Sequence, residues 1–148
     1  MTRQAILPSF DDQLRLAIRQ AQIEENLTQR DLAKLSGVTL PSISKWSNDS
    51  TKTIRFDTAE KLANTLQTDL RTTRTIYHAN DQRRRQSFDE QFQLAIGDRE
   101  FGELAQASEV PASRLEWWNR YGCSKLLLRE VFAVCLVLQA DLLVQQSE

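Results

Sequence analysis

The sequence predicts an all-α fold: two small helical bundles in tandem, joined by a basic linker. Three observations carry this. First, the 148 residues include only four glycines and three prolines, too few for a turn-rich β architecture. Second, apolar residues recur at three-and-four spacing rather than in alternation. Third, the chain matches itself. Ser9–Ile18 returns as Ser87–Ile96 with seven of ten positions identical at an offset of 78. Further on the offset is 72: Asp31–Val38 aligns with Glu103–Val110, Trp46 with Trp118, and Leu66–Leu70 with Leu138–Leu142. Matches in the same order along both halves read as two copies of one unit, the second shorter by six residues after its first helix. The expected division is a first bundle over 1–70, a linker over 71–86 and a second bundle over 87–148.

Each element has its own signal. Ser9-Phe10-Asp11-Asp12 opens a first helix with Leu14, Ala17, Ile18 and Ala21 as its apolar stripe. Ser87-Phe88-Asp89-Glu90 has the full capping-box form in the second copy. Thr28-Gln29-Arg30-Asp31 starts a short second helix, and Ser36-Gly37 ends it, glycine supplying the left-handed conformation. Thr39 caps a third helix with Pro41 in its first turn, where a missing N–H costs nothing. Asp57-Thr58-Ala59-Glu60 is expected to cap a fourth, with Leu62, Ala63, Leu66 and Leu70 buried. Strand character is confined to Thr72–Tyr77. Val131, Phe132, Val134, Cys135, Leu136 and Leu138 are apolar nearly all round the last helix, which fits burial on two sides.

Charge is uneven although the net charge is only −1. Residues 1–70 balance, residues 71–86 carry +4 through Arg71, Arg74, Arg83, Arg84 and Arg85 against Asp81, and residues 87–148 carry −5. This excludes strong non-specific affinity of the whole chain for polyanions but leaves room for a local basic face. The Arg83–Arg85 run reads first as a solvated linker. The first eight residues are too short and polar for a secretory signal. Val131–Leu138, the longest apolar stretch, is too short to span a bilayer. Cys123 and Cys135 form no disulfide framework, so reduced thiols and a cytoplasmic protein are expected.

Leu27–Trp46 resembles the helix-turn-helix of the phage-repressor (XRE, or Cro-type) family. Ala33 is small where two helices cross, Gly37 makes the sharp turn, and Leu32, Leu35, Val38, Ile43 and Trp46 fill the space between the helices. With the following Leu-Ala-x-x-Leu helix the resemblance covers about 60 residues. It implies two lambda-repressor-like bundles, with the third helix, Leu40–Ser47, lying in the DNA major groove. Carried over by position, Gln29 would bond a phosphate at the groove edge. Leu40, Pro41, Ser42 and Lys45 would face base edges, with Thr39 and Ser44 on the same surface. Lys45 would donate to guanine and Leu40 touch a thymine methyl. Asn48, Thr51 and Lys52 would meet phosphates, and Arg55 would point toward the minor groove. Leu40-Pro41 replaces the polar pair common in the family, so base readout is expected to be less hydrogen-bonded.

The second copy carries different chemistry at the aligned positions. Gln29 becomes Phe101, Lys45 becomes Trp117, Lys52 becomes Ser124, Arg55 becomes Leu127 and Gly37 becomes Glu109. A phosphate surface needs cations and amides, and here there are aromatics and leucines. Phe101, Trp117, Tyr121, Leu126 and Leu127 are therefore expected at a protein interface, formed by a homodimer or another partner. Packing of these residues within the chain is the competing reading. A homodimer would read a pseudo-palindromic double-stranded operator with half-sites ~34 Å or a multiple apart.

No catalytic, cofactor or metal chemistry is expected. His78 stands alone, Cys123 and Cys135 lack companion ligands, and no phosphate-loop motif occurs. The overall expectation is a sequence-specific DNA-binding regulator that represses transcription. The alternative is a protein-interaction module (antirepressor, antitoxin or repressor accessory) acting mainly through the second bundle.

Overall fold

A computed structural model describes residues 8–72, 76–79, 84–96 and 100–146. Its elements are α1 (Phe10–Glu24), α2 (Gln29–Ser36), α3 (Leu40–Ser47), α4 (Phe56–Leu66), β1 (Leu70–Arg71), β2 (Ile76–Tyr77), α5 (Arg84–Ile96), α6 (Phe101–Ser108), α7 (Ala112–Tyr121) and α8 (Leu128–Gln146). The framework is helical, as expected, and α1–α4 and α5–α8 follow one another in the same order.

The ends of α1 and α2 follow the local signals. The Ser9 hydroxyl accepts from the Asp12 amide at 3.0 Å. At α2, Thr28 and Asp31 form a complete capping box, which holds the Asp31 carboxyl below its ordinary value through hydrogen bonds to Thr28. Gly37 closes α2 at φ +80°. Glu109 closes α6 at φ +63°, so the turn survives the loss of glycine, at a cost of about 1–2 kcal/mol for a left-handed non-glycine residue. Thr39 begins α3 without capping it, because its hydroxyl donates to Ser42 Oγ at 2.7 Å instead.

Three expectations are corrected. First, α4 starts at Phe56, not at an Asp57 cap, and Arg55 makes no side-chain cap bond. Its first amides have backbone partners instead: Phe56 N–H donates to the Leu126 carbonyl (2.8 Å) and Asp57 N–H to the Ser124 carbonyl (3.0 Å). Tertiary pairing thus supplies what a cap would. Second, α5 begins at Arg84, so Ser87 lies inside a helix. The Arg and Gln residues before it are good helix formers, and nothing there breaks the helix. Third, Leu35 is 66% exposed and is no part of the packing between helices.

The expected linker contains structure. Leu70 pairs with Tyr77 and Arg71 with Ile76 in a two-residue antiparallel ribbon. Too short to be stable alone, the ribbon is held at both edges by glutamines. Gln13 Nε2 donates to the Arg71 carbonyl (2.7 Å), and its Oε1 accepts the Arg71 amide (2.8 Å). Gln91 does the same to Ile76, at 3.1 and 3.3 Å.

Side chains from both halves form one continuous core. Phe10 packs edge-on against Phe88 (6.4 Å) and Phe132 (4.9 Å), while Phe56 stacks on Phe88 (5.5 Å). Helix α8 contacts α1, α4, α5 and α6, which explains its nearly all-round apolar surface. Cys123 and Cys135 are buried in this core, and burial pushes the Cys123 thiol well above its ordinary value.

Candidate nucleic-acid interface

The candidate interface is the outer face of α3 with the loop that follows it. Ile43 and Trp46 face inward and are buried, while Pro41, Ser42 and Lys45 are exposed and Leu40 and Ser44 half-buried. This is the helical periodicity at work: residues 43 and 46 share the inner face, and 41, 42 and 45 take the outer one. No acid lies in the first turn of α3, and Lys45 is in its last. Thr39, Asn48, Thr51 and Lys52 are also exposed.

Four of the predicted phosphate or groove contacts are engaged within the chain. Gln29 Nε2 donates to Ser47 Oγ at 3.0 Å, tying the start of α2 to the end of α3. Arg55 forms a two-pronged pair with Asp57, Nε to Oδ1 at 3.1 Å and Nη2 to Oδ2. Burial pushes the Asp57 carboxyl up, but the Arg55 hydrogen bond and charge outweigh it and leave the carboxyl below its ordinary value. Thr51 Oγ1 donates to Asp49, and Asn48 Nδ2 to Ser44 Oγ.

The supports beneath this face were not anticipated from the sequence. The Arg15 guanidinium, 6% exposed, lies 4.8 Å from the centre of the Trp46 ring. It donates to the carbonyls of Trp46 (3.0 Å), Asp49 (3.0 Å) and Lys52 (2.5 Å), and pairs with Asp12 (3.1 Å). One side chain therefore clasps the whole turn after α3. Beside it, buried Asp11 accepts the Trp46 indole N–H at 2.8 Å and the Thr53 hydroxyl at 3.1 Å. A legible signal existed: Asp11 and Gln13 recur unchanged at 89 and 91, though both are polar residues on a packed helix. Asp89 likewise accepts the Trp118 indole N–H, at 2.7 Å.

Burial pushes the Asp11 carboxyl above its ordinary 3.8, against the opposing hydrogen bonds of Trp46 and Thr53 and the charges of Arg15 and Arg129. A raised folded value means that the folded chain keeps this proton longer than the unfolded one. Ionisation of Asp11 thus opposes the fold increasingly as pH rises from 3.8 through the folded value, then by a constant amount. Asp11→Asn keeps an acceptor for Trp46 but has no proton to lose. Across that window it is expected to gain stability relative to the parent, measured by urea denaturation at a series of pH values. Parallel curves would show that Asp11 does not titrate abnormally.

The expected protein-interface residues fall into two groups. Leu126 is 2% exposed and sits in the chain's own core. Leu127 forms an isolated antiparallel bridge with Arg55. Leu126 is therefore an intramolecular contact, its carbonyl accepting the Phe56 amide, whereas the Leu127 side chain is still 36% exposed. Phe101 is half-buried and packs on the same core. Trp117 and Tyr121 remain outside, 47% and 61% exposed and tilted against each other at 4.6 Å.

Other chemistry is sparse. Nδ1 of the exposed His78 lies 3.7 Å from Asp69. Among the described residues no group of three or more His, Cys, Asp or Glu could hold a metal ion. Among the same residues no helix is long and apolar enough to cross a membrane. Arg83 lies outside the described residues, and the side chains of Arg84 and Arg85 do too.

A buried tryptophan beneath a short helix, a left-handed glycine turn before it and an exposed outer face define a helix-turn-helix unit. Residues 17–72 match the family model described as Helix-turn-helix, of the XRE or phage-repressor-like kind. That segment carries a helix-turn-helix domain, of the kind found in DNA-binding transcription regulators. No curated protein and no solved structure matches the chain.

Proposed function

We propose that the protein is a sequence-specific transcriptional repressor that inserts α3 into the major groove of an operator. The observation that carries this is the outer face of α3: Pro41, Ser42 and Lys45 are exposed, with Leu40 half-buried at its edge, on a helix tied down through Trp46 and Arg15. Lys45 would read a guanine edge, Ser42 either kind of partner and Leu40 a thymine methyl. Asn48, Thr51 and Lys52 would lie against phosphates, with Gln29 at the groove edge once it exchanges its Ser47 bond. Repression needs only that the bound protein obstruct polymerase, so no activation surface is required. The test is selection of binding sites from a random duplex pool by the full chain, followed by a promoter reporter carrying the selected site. An enriched motif with lowered reporter output supports the reading, and an unenriched pool rejects it.

Arg55 would have to exchange Asp57 for a phosphate on binding. Asp57→Asn frees it and removes a negative charge from the approach. Affinity for the selected site is expected to rise several-fold, and the slope of log affinity against log salt to steepen by about one. Titrations at three salt concentrations measure both.

Docking of another protein on the second bundle is the alternative reading, and one observation favours it. The exposed Trp117–Tyr121 pair stands on α7 where α3 carries Lys45. A homodimer would have to use that pair and the exposed Leu127 rather than the buried Leu126.

A further inference from the structure

Several contacts join a residue of the first half to its aligned residue in the second. Phe56 N–H donates to the Leu126 carbonyl at 2.8 Å, and Leu128 N–H to the Ile54 carbonyl at 2.7 Å. At the offset of 72, residue 54 aligns with 126 and 56 with 128, so each bond is the image of the other. Between them Arg55 bridges Leu127, its own image. Phe10 touches Phe88, its image at the offset of 78. At the ribbon, Gln13 and its image Gln91 bracket Arg71 and Ile76, which pair with each other. The aligned Trp46–Asp11 and Trp118–Asp89 bonds repeat the same construction away from this line. These contacts together describe an internal two-fold axis running from the ribbon, through the phenylalanines, to the bridge.

Such self-complementary pairing is what two identical subunits make across a dyad. Here it is already satisfied within one chain. The backbone edges at 54–56 and 126–128 are used on each other, and the ribbon is used at both edges.

The two heads differ in charge over aligned windows. Residues 28–58 carry five basic and three acidic residues, whereas 100–130 carry four basic and five acidic. Helix α6 has Glu103 in its first turn and no basic residue in its last, and α7 presents Trp117 and Tyr121 outward. Of the basic residues in the second window, Arg114 is paired with Glu130 at 2.6 Å. Arg129 turns away to the first head, its guanidinium donating to the Thr51 carbonyl and its amide to Thr53 Oγ1 at 3.1 Å. Arg120 and Lys125 stay exposed, but acids outnumber bases in this window, so the second head offers a poorer phosphate surface than the first, and it braces the loop of the first.

We propose that one chain is itself the two-headed unit, an internal pseudo-dimer in which only the first head reads DNA, so that a single molecule recognises one asymmetric half-site on duplex DNA. This rests on the reading of α3 as the DNA-reading helix. A homodimeric repressor needs an inverted repeat; this protein needs none. The second head acts as a positioning element: it fills the seam that a second subunit would use and holds residues 51–53 in place.

The experiment uses the full chain. Its mass is measured by light scattering free and bound to the duplex enriched from a random pool, and the symmetry of the enriched motif is scored. The expected result is a free species of 17.1 kDa, one chain per duplex and a motif without inverted symmetry. Lys45→Ala is expected to remove protection over the whole footprint, while the Trp117→Ala/Tyr121→Ala double variant leaves the length of the footprint unchanged. A free dimer of about 34 kDa, two chains per duplex or a palindromic motif would overturn the proposal while leaving DNA reading by α3 intact. A footprint shortened by the double variant would overturn the silence of the second head. An unenriched pool would reject the DNA reading, and the single-site proposal with it, whatever the mass of the free chain.

Discussion

Lys45→Ala is expected to lower affinity for the selected operator by about 5- to 150-fold, the range of 1–3 kcal/mol that one specific base contact contributes. The side chain projects from the last turn of α3 away from the core and forms no ion pair among the described residues. Its removal should therefore leave the thermal midpoint unchanged, which separates lost recognition from lost folding. The loss should also be uneven across sequence variants: large for the selected site, smaller for one changed at the contacted base. A uniform loss at every site would mark Lys45 as a phosphate contact rather than a reader. Unchanged affinity would mean that α3 does not enter the groove. Titration of a labelled duplex at fixed salt, beside Lys61→Ala on exposed α4 as a control, decides among these.

Arg15→Met should have the largest effect on stability. Methionine keeps much of the apolar stem but removes every donor that clasps residues 46–52. Three carbonyls lose a charged partner, Asp12 loses its pair, and the stacking on Trp46 goes as well. Hydrogen bonds to a charged group contribute about 1.5–3 kcal/mol each, and removing one partner of a buried charged cluster costs about 3–5 kcal/mol. A loss of about 3 kcal/mol is expected, which for a chain of this size lowers the midpoint by about 10 °C. The turn carrying Asn48, Thr51 and Lys52 should loosen at the same time. Amide exchange at 49–53 should then accelerate more than in α5–α8, and operator affinity should fall although Arg15 touches no DNA. A destabilisation below about 1 kcal/mol would show that the turn is held by its own Asp49–Thr51 bonds instead.

Much of the interface was legible before the fold. Gly37 had to be left-handed, Trp46 had to be inward and Lys45 outward, because three-and-four spacing fixes which side chains share a face of a helix. The clasp was not legible, since Arg15 reads as one more polar residue on an amphipathic helix. Its partners are backbone carbonyls some 31 to 37 residues away, and a carbonyl looks the same in every sequence. Asp11 and Gln13 could have been found, as polar positions repeated unchanged at Asp89 and Gln91.

The same distinction governs the second half. Periodicity and the internal match were enough to predict helices there, though not where α5 starts, and to put Trp117 at the position aligned with Lys45, because both are properties of residue type and short spacing. Whether the backbone of residues 124–128 pairs with a second molecule or with the first half of its own chain lay outside that information. The tertiary structure decided it through the amides of Phe56, Asp57 and Leu128. Buried backbone donors must find acceptors, and here each half supplies the other's. The linker became a ribbon for a related reason: two-residue strands have no stability of their own, and they exist because Gln13 and Gln91 bracket them in three dimensions. Local chemistry therefore determined most of the helices and the outer face of α3. Long-range satisfaction of the backbone decided how the two halves meet.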